Sequence, residues 1–301
     1  MRTFRFIGMA LIAILVSVNF ASCSSDDDEI IKDDDGVITS EKKLVEIQET
    51  YKEYIKIMTF SYDSKSKLIS IVEKDYDSSK SDIINITWGE NTVTESEDGE
   101  SITYSLTDGL VRTGLETDGY KYSFAYNSSK QLTTYQYGDK HDSSTRTFAW
   151  ENGRVTKIVY DGEISEITYD SKTCKGYFPL MVLMVEDDFK VMLAHPELIG
   201  MRTTQLPSQS YSKDVQKGEY YDDYIKETNK YENIYESTTK FTYKLNSDGY
   251  VESVTMVETD VQTSKYSFQD NNGDGVISDD ERNITNTHTD TGTRTYTFKW
   301  E

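Results

Sequence analysis

The chain has 301 residues, a formal net charge of −21 at pH 7, 3 prolines and 2 cysteines. A surface this acidic repels nucleic acid and attracts cations, so nucleic acid is excluded as a partner. The 23 tyrosines, with abundant Thr, Ser, Ile and Val, favour strands over helices, and the length suits one large domain or two small ones.

Residues 1–22 have the form of a secretory signal: Arg2 and Arg5, an apolar run from Phe6 to Phe20, then the small residues Ala21 and Ser22 before a break. The run is shorter than the ~20 residues a spanning helix needs. Ala21-Ser22-Cys23 resembles a bacterial lipobox, with Phe20 standing where leucine is usual. Such a resemblance implies that the Cys23 thiol carries lipid and becomes the new N-terminus. The acidic run Asp26-Asp27-Asp28-Glu29 resembles the export signal of Bacteroidetes lipoproteins bound for the outer face of the outer membrane. Acyl chains at Cys23 would hold the chain on a bilayer, each buried CH₂ contributing about 0.8 kcal/mol. An acylated Cys23 leaves Cys174 without a disulfide partner, so Cys174 reads as a small buried hydrophobe. Residues 23–38 form an acidic tether, self-repelling and extended, and residues 39–301 form the folded body.

Lys43 to Phe60 fits either one helical face or two strands. Two strands are preferred, because a strand pattern recurs along the rest of the chain. Phe60-Ser61-Tyr62 leads through Asp63 to Lys67 into Leu68-Ile69-Ser70-Ile71. Tyr122 to Tyr126 leads through Asn127 to Gln131 into Leu132. Phe148-Ala149-Trp150 leads through Asn152-Gly153 into Val155, and Phe241-Thr242-Tyr243 through Asn246 to Gly249 into Val251. Ile86-Thr87-Trp88-Gly89 and Tyr104 to Leu110 are weaker copies, and Thr145 to Trp150 matches Thr293 to Trp300. Period-two alternation sets the aromatics on one face and Ser, Thr and Lys on the other, while Asp, Asn, Ser and Gly supply turns. No single hairpin buries its aromatic face, so the pattern predicts a large curved antiparallel β-meander of hairpin repeats, open or closed like a barrel. A two-layer sandwich is the rival.

The middle departs from this pattern. Pro179, Leu180 to Val185, Phe189, Val191 to Leu193 and Pro196 predict a helical insertion over about 177–200, apolar nearly all round and therefore buried against the concave face as a plug or lid. Leu206-Pro207-Ser208 restarts the extended chain. Tyr211, Tyr220, Tyr221, Tyr224, Tyr231 and Tyr235 come after it. Exposed tyrosines can stack on sugars, but sheet packing is the expected role here.

Asp270 to Glu281 carries the specific chemical signal. It fits the twelve-residue calcium loop of an EF-hand. Asp270, Asn272 and Asp274 offer side-chain oxygens, Gly275 permits the sharp turn, and Val276 offers its carbonyl. Ser278 can hold a ligand water, and Glu281 closes the site with both oxygens. Calcium, a hard ion that takes six to eight oxygens, suits this spacing better than magnesium. Arg282 stands where an exiting helix would begin, and the flanks at Ser264 to Phe268 and Thr295 to Phe298 look like strands. The expected element is a calcium loop set in a hairpin, a structural staple. His141, His195 and His288 lack metal-ligand spacing, and there is no nucleophile elbow or phosphate-cradling glycine loop.

Together the lipobox, the acidic export run, the Tyr–turn–Leu hairpins, the central Leu/Met stretch and the Leu206-Pro207-Ser208 restart are similar to a family of Bacteroidetes surface lipoproteins of unknown function. Their domain is described as having a porin-like β fold. The resemblance implies a curved antiparallel sheet and carries over no catalytic residue. The expected protein is a lipid-anchored, surface-exposed, non-enzymatic binding or scaffolding module of the outer membrane, with Ca²⁺ as its cofactor and glycans or surface proteins as candidate ligands. The alternatives are glycan capture by Tyr and Trp rings in the concavity and, third, a polysaccharide hydrolase with two facing carboxylates.

Overall fold

The computed structural model describes residues 31–32, 38–39, 41–76, 78, 80–139, 141, 143–160, 162–179, 189–269 and 277–301. Strands β1 (Ile31–Lys32) and β2 (Ile38–Thr39) pair with each other across the end of the predicted tether. The body begins with β3 (Leu44–Tyr51) and β4 (Tyr54–Tyr62), as the two-strand reading of Lys43–Phe60 expects. It continues through β5 (Leu68–Asp75), β6 (Asp82–Trp88), β7 (Thr92–Glu97), β8 (Glu100–Thr107), β9 (Leu110–Glu116), β10 (Lys121–Tyr126), β11 (Leu132–Gly138), β12 (Ser143–Glu151), β13 (Arg154–Tyr160) and β14 (Glu163–Thr173). The long strands β15 (Gln205–Asp222), β16 (Glu227–Leu245), β17 (Val251–Phe268) and β18 (Arg282–Trp300) complete it. Each strand runs antiparallel to its sequence neighbours, and β18 returns to pair with β3 from Arg294↔Tyr51 to Trp300↔Leu44. The meander therefore closes into a sixteen-strand barrel, which removes the two edges an open sheet would expose.

Alternation decides which face is which. Ile47, Phe60, Ile71, Tyr104, Phe124, Phe148, Ile158, Val254 and Phe298 point inwards and are buried in one continuous core. The outward row of β18 is Thr285, Thr287, Thr289, Thr291, Thr293, Thr295, Thr297 and Lys299, and that of β16 includes Lys230, Glu232, Glu236, Lys240 and Lys244. This is the reverse of a membrane-spanning barrel, whose outer face carries an apolar band about 25 Å tall over a polar interior. Among the described residues no helix is long and apolar enough to cross a membrane.

The repeats are resolved as one turn device and one strand-end device. In the longer turns an Asx side chain caps two backbone amides. Asp63 Oδ1 accepts from Lys65 N and Lys67 N, Asn127 Oδ1 from Ser129 N and Gln131 N, and Asn246 Oδ1 from Asp248 N and Tyr250 N. The residue three places after the Asx then takes positive φ: Ser66 at 68°, Lys130 at 60° and Gly249 at 89°. Two-residue turns use Asp98-Gly99, Asp108-Gly109 and Asn152-Gly153, with φ positive at both positions, the twist that matches paired strands. At the strand ends, a ladder irregularity recurs beside the last aromatic, as at Ser61/Tyr62, Ala125/Tyr126, Ala149/Trp150 and Lys299/Trp300. The aromatic's polar atom donates to the carbonyl at the start of the preceding strand. Tyr62 Oη reaches Leu44 O at 2.7 Å, Trp88 Nε1 reaches Leu68 O at 2.8 Å and Tyr126 Oη reaches Val111 O at 2.5 Å. Trp150 Nε1 reaches Leu132 O at 2.6 Å, Tyr169 Oη reaches Val155 O at 2.9 Å and Trp300 Nε1 reaches Val251 O at 2.7 Å. The bond satisfies a carbonyl that would otherwise be left unpaired in an apolar rim.

The predicted insertion fills the barrel from this end inwards, from His195 beside Trp88 to Lys190 near Glu73 towards the other end of β5. Among the described residues it is helical only at α1 (Lys190–Ala194), followed by a 3₁₀ turn at Pro196–Ile199. Residues 180–188 of the predicted insertion lie outside the described residues. Pro196 ends α1 as expected, because the residue before a proline is biased away from helix. Phe189 sits among the rings of Tyr104, Tyr122, Phe124 and Tyr135 at 5.0–6.2 Å, and Phe178 among those of Tyr243 and Phe298. Polar anchors hold the segment as well. Val191 N donates to Glu95 Oε1 at 2.7 Å, and Lys190 Nζ lies 2.9 Å from Glu73, which also holds Lys56 at 2.7 Å. Buried charges need such partners. The start and end of the barrel chain meet at the plugged end, where Lys43 and Glu301 exchange backbone hydrogen bonds of 2.6 and 2.9 Å.

Candidate functional site

At the opposite end, four strands outrun the barrel. Pairing of β14 with β15 stops at Ile164↔Lys213, and pairing of β18 with β3 stops at Arg294↔Tyr51. Beyond these points β15–β18 continue as a four-stranded sheet with solvent on both faces. The part of β15 past Lys213 is roughly 30 Å long at 3.3 Å per residue. Its inner face continues the inward row of the barrel but replaces aliphatic residues with rings and amides: Gln216, Gly218 and Tyr220 on β15; Asn229, Tyr231, Asn233 and Tyr235 on β16; Gln262, Ser264 and Tyr266 on β17; Asn286 and His288 on β18.

Register fixes the contacts within this face. Tyr231 stands opposite Tyr266 on one side and Gly218 on the other. Its ring covers Gly218 so closely that a Cβ there would lie 2.4 Å from the hydroxyl. Asn229 is 2% exposed and uses both ends of its amide. Nδ2 donates to Tyr220 Oη at 3.0 Å and to Phe268 O at 2.8 Å, while Oδ1 accepts from Ser267 Oγ at 3.0 Å and Phe268 N at 3.4 Å. Tyr220, held by its hydroxyl, is still 47% exposed as a residue. The result is an open trough. One part, about 580 Å³, is lined by Tyr220, Asn229, Tyr266, Asn286 and His288 among others. The next, about 360 Å³, shares Gln262 and His288 with it and runs past Tyr235 to Asp214, Asp260 and Glu163.

The outer face is clamped by ion pairs. Glu232 takes Lys217 at 2.5 Å and Lys265 at 2.7 Å, and Glu236 takes Lys213 at 3.0 Å; Glu227, in the inward row at the tip, takes Arg282 at 3.1 Å. Hydrogen bonds from Lys217 and Lys265 hold the Glu232 carboxyl down to about 2. The hydrogen bond to Glu236, with some burial, pushes the Tyr211 phenol up to about 12.

The predicted calcium loop joins β17 to β18 at the far end of this trough. Asp270, Asn272, Asp274 and Val276 lie outside the described residues. Ser278 and Glu281 are described. Glu281 is buried, and its Oε2 accepts from Ser278 N at 3.1 Å and Ser278 Oγ at 2.6 Å. Glu281 thus closes a capping box with Ser278 on the 3₁₀ turn Asp279–Glu281, so the two described positions are side by side and offer oxygen donors of the kind Ca²⁺ takes. Gln269 N donates to Glu281 O at 2.9 Å, and Asn286 Nδ2 to Gln269 Oε1 at 3.2 Å, so loop and trough share a wall. Among the described residues no three His, Cys, Asp or Glu side chains gather as a metal site.

The remaining sequence candidates fall elsewhere. Cys23 lies outside the described residues. Cys174 is buried, and burial pushes its thiol up to about 12, which suits a packing role. His195 packs edge-on against Trp88 and pairs with Glu197 at 2.7 Å on the plug, far along the barrel from His288. Trp88, Trp150 and Trp300 belong to the strand-end device and pack on the core, so they offer no stacking surface in the concavity. The tyrosines of residues 211–235 correct a second expectation. Tyr220, Tyr221, Tyr224 and Tyr235 are exposed: Tyr220 and Tyr235 face inwards where the strands have left the barrel and no opposing layer remains, Tyr221 faces outwards, and Tyr224 lies in the turn between β15 and β16. A signal for this was present in sequence: Asn229, Tyr231, Asn233 and Tyr235 alternate with charged or apolar residues at period two.

No protein-family model matches the sequence, and no curated protein matches it. Its fold is similar to solved structures. A porin-like protein from Bacteroides uniformis ATCC 8492 superposes with a TM-score of 0.58 at 17% identity, over 86% of this chain and 98% of that one. A porin-like protein from Bacteroides vulgatus ATCC 8482 does so with a TM-score of 0.50 at 9% identity, over 87% and 99%. At these identities the likeness concerns the fold alone.

Proposed function

We propose that this protein is a non-enzymatic binding module, held at the outer face of the outer membrane by lipid on Cys23, with the trough of β15–β18 as its ligand site. The observation that carries this reading is the contrast between the two ends. The end where Lys43 enters is filled by the plug, whereas the far end presents an open face of rings and amides. A tether at Lys43 directs that face away from the membrane. The polar outer wall supports attachment through an anchor rather than insertion. Lumen carboxylates that could serve acid–base chemistry have other tasks: Glu73 pairs with Lys56 and Lys190, Glu95 takes the Val191 amide, and Glu49 lies 3.3 Å from Arg294. In this reading Ca²⁺ at Asp270, Asn272, Asp274, Val276, Ser278 and Glu281 fixes the loop that borders the trough.

Two measurements test it. Labelled palmitate should enter the full-length chain and not Cys23→Ser, and protease added to intact cells should reach the body; a Cys23→Ser protein that still labels defeats the anchor. Chelation should lower the melting temperature, and added Ca²⁺ should restore it. An unchanged melting curve together with no bound metal by elemental analysis removes the calcium site.

A further inference from the structure

We propose that the trough binds an uncharged stretch of oligosaccharide laid along β16 and β17, with pyranose faces on Tyr220 and Tyr231 and hydroxyls on the amides between them. The inference deepens the binding-module reading and rests on it. Rings and amides share this face because alternate residues of a strand point the same way, about 6.7 Å apart. A sugar ring offers the matching pair of surfaces, an apolar C–H face and a rim of hydroxyls. Tyr220 is the strongest single sign. A fold gains little by spending a buried, fully hydrogen-bonded Asn229 on the hydroxyl of a ring that remains in solvent. What the contact does achieve is a fixed, exposed platform, so little side-chain freedom is lost on binding. Asn233 Oδ1, in the middle of the row, is buried without a protein partner among the described residues. The volume of the main cleft, about 580 Å³, lies within the ~300–1,000 Å³ of small-molecule sites.

Charge narrows the class. Asp222 marks one end of the trough, and Asp214, Asp260, Asp290 and Glu163 mark the other. Among the described residues its lining includes no Arg and one Lys, Lys213, whose side chain turns to the outer face, where Glu236 holds it. Such a field repels carboxylated and sulfated sugars, and also phosphates. An apolar peptide would find no greasy groove here.

The test is calorimetric titration of the full-length lipoprotein in detergent with neutral gluco- and manno-oligosaccharides, and with oligogalacturonate as the acidic comparison. Neutral oligomers should bind and oligogalacturonate should not. Tyr220→Ala should weaken binding about tenfold with the melting temperature unchanged, Tyr220→Trp should retain it, and Trp150→Phe, at the plugged end, should leave it alone. Preference for the acidic oligomer, or full binding by both Tyr220→Ala and Tyr231→Ala, overturns the inference. So does the absence of binding to either class by folded protein, an outcome that leaves the anchoring and calcium tests to decide the wider reading. Release of shortened sugars would instead sink the non-enzymatic reading and keep the sugar in the trough.

Discussion

The barrel body and the extension of β15–β18 share one hydrogen-bonded ladder but stabilise it by different physics. In the body, inward alternation meets an opposing wall and a plug, so each inward side chain is removed from water and the hydrophobic effect dominates. In the extension the same alternation meets no opposing layer. The inward positions turn polar, and stability comes from cross-strand pairs: Lys217–Glu232–Lys265 on one face, Tyr231 over Gly218 and the Asn229 network on the other. Each such pair contributes only about 0.2–1 kcal/mol. A sheet held this way should open locally well before the barrel unfolds, and this difference is what mutation can expose.

The largest effect should come from the plug. Phe189→Ala removes a ring packed among Tyr104, Tyr122, Phe124 and Tyr135 and should lower global stability by about 3–5 kcal/mol, read as a fall in the urea midpoint. Tyr220→Ala, an equally large truncation in the extension, should leave that midpoint in place. Equal losses in the two variants would erase the distinction between the regions. Next comes Asn229→Ala, which leaves the Phe268 carbonyl without its side-chain partner. A buried group so treated costs about 1–3 kcal/mol. The cost should appear as faster hydrogen exchange in the outer halves of β16 and β17, with the barrel amides unaffected. If the barrel amides accelerate equally, the extension is not an independent unit. Trp150→Phe keeps the ring and removes the bond to Leu132 O, so about 1 kcal/mol of global stability should go.

The Trp150 case also shows where sequence reading stops. Phe148-Ala149-Trp150-Glu151-Asn152-Gly153 declares a hairpin, because Asn-Gly is the pair that turn geometry demands and alternation names the buried face. Closure does not follow, because the same pattern fits an open sheet or a sandwich; it is the return of β18 to pair with β3 that decides it. The role of the indole does not follow. Its bond crosses to a carbonyl 18 residues back, and depends on a ladder irregularity that composition does not mark. A ring that looks like a stacking surface in sequence is therefore a strand-end staple in the fold. The tyrosines of β15 and β16 fail in the opposite sense. Alternation puts them on a face, but only the lengths of β14 and β3 decide whether anything covers that face. Those lengths belong to other parts of the chain. The Asp270–Glu281 pattern is legible because its candidate ligands are consecutive; Asp270, Asn272, Asp274 and Val276 lie outside the described residues, and Ser278 and Glu281 are hydrogen-bonded to each other.

The smallest predicted effect is also the most selective for the extension. The Glu232 carboxyl is held down to about 2 by hydrogen bonds from Lys217 and Lys265, and the Glu227 and Glu236 carboxyls are lowered in the same way by Arg282 and by Tyr211 with Lys213. A carboxyl whose folded pKa lies below its unfolded value contributes stability that is fully present above the ordinary carboxylate value of about 4.3. That contribution is lost as pH falls from there through about 2. Across that window the outer halves of β16 and β17 should lose exchange protection, after correction for the intrinsic pH dependence, while the apolar plug keeps its own. Because the pairs are part-exposed, raised salt at pH 7 should reproduce part of the loss by screening. Glu232→Gln should show the reduced protection already at pH 7 and a flatter response to acid. If its acid response equals that of the wild type, the Lys217–Glu232–Lys265 clamp is not what holds the extension flat.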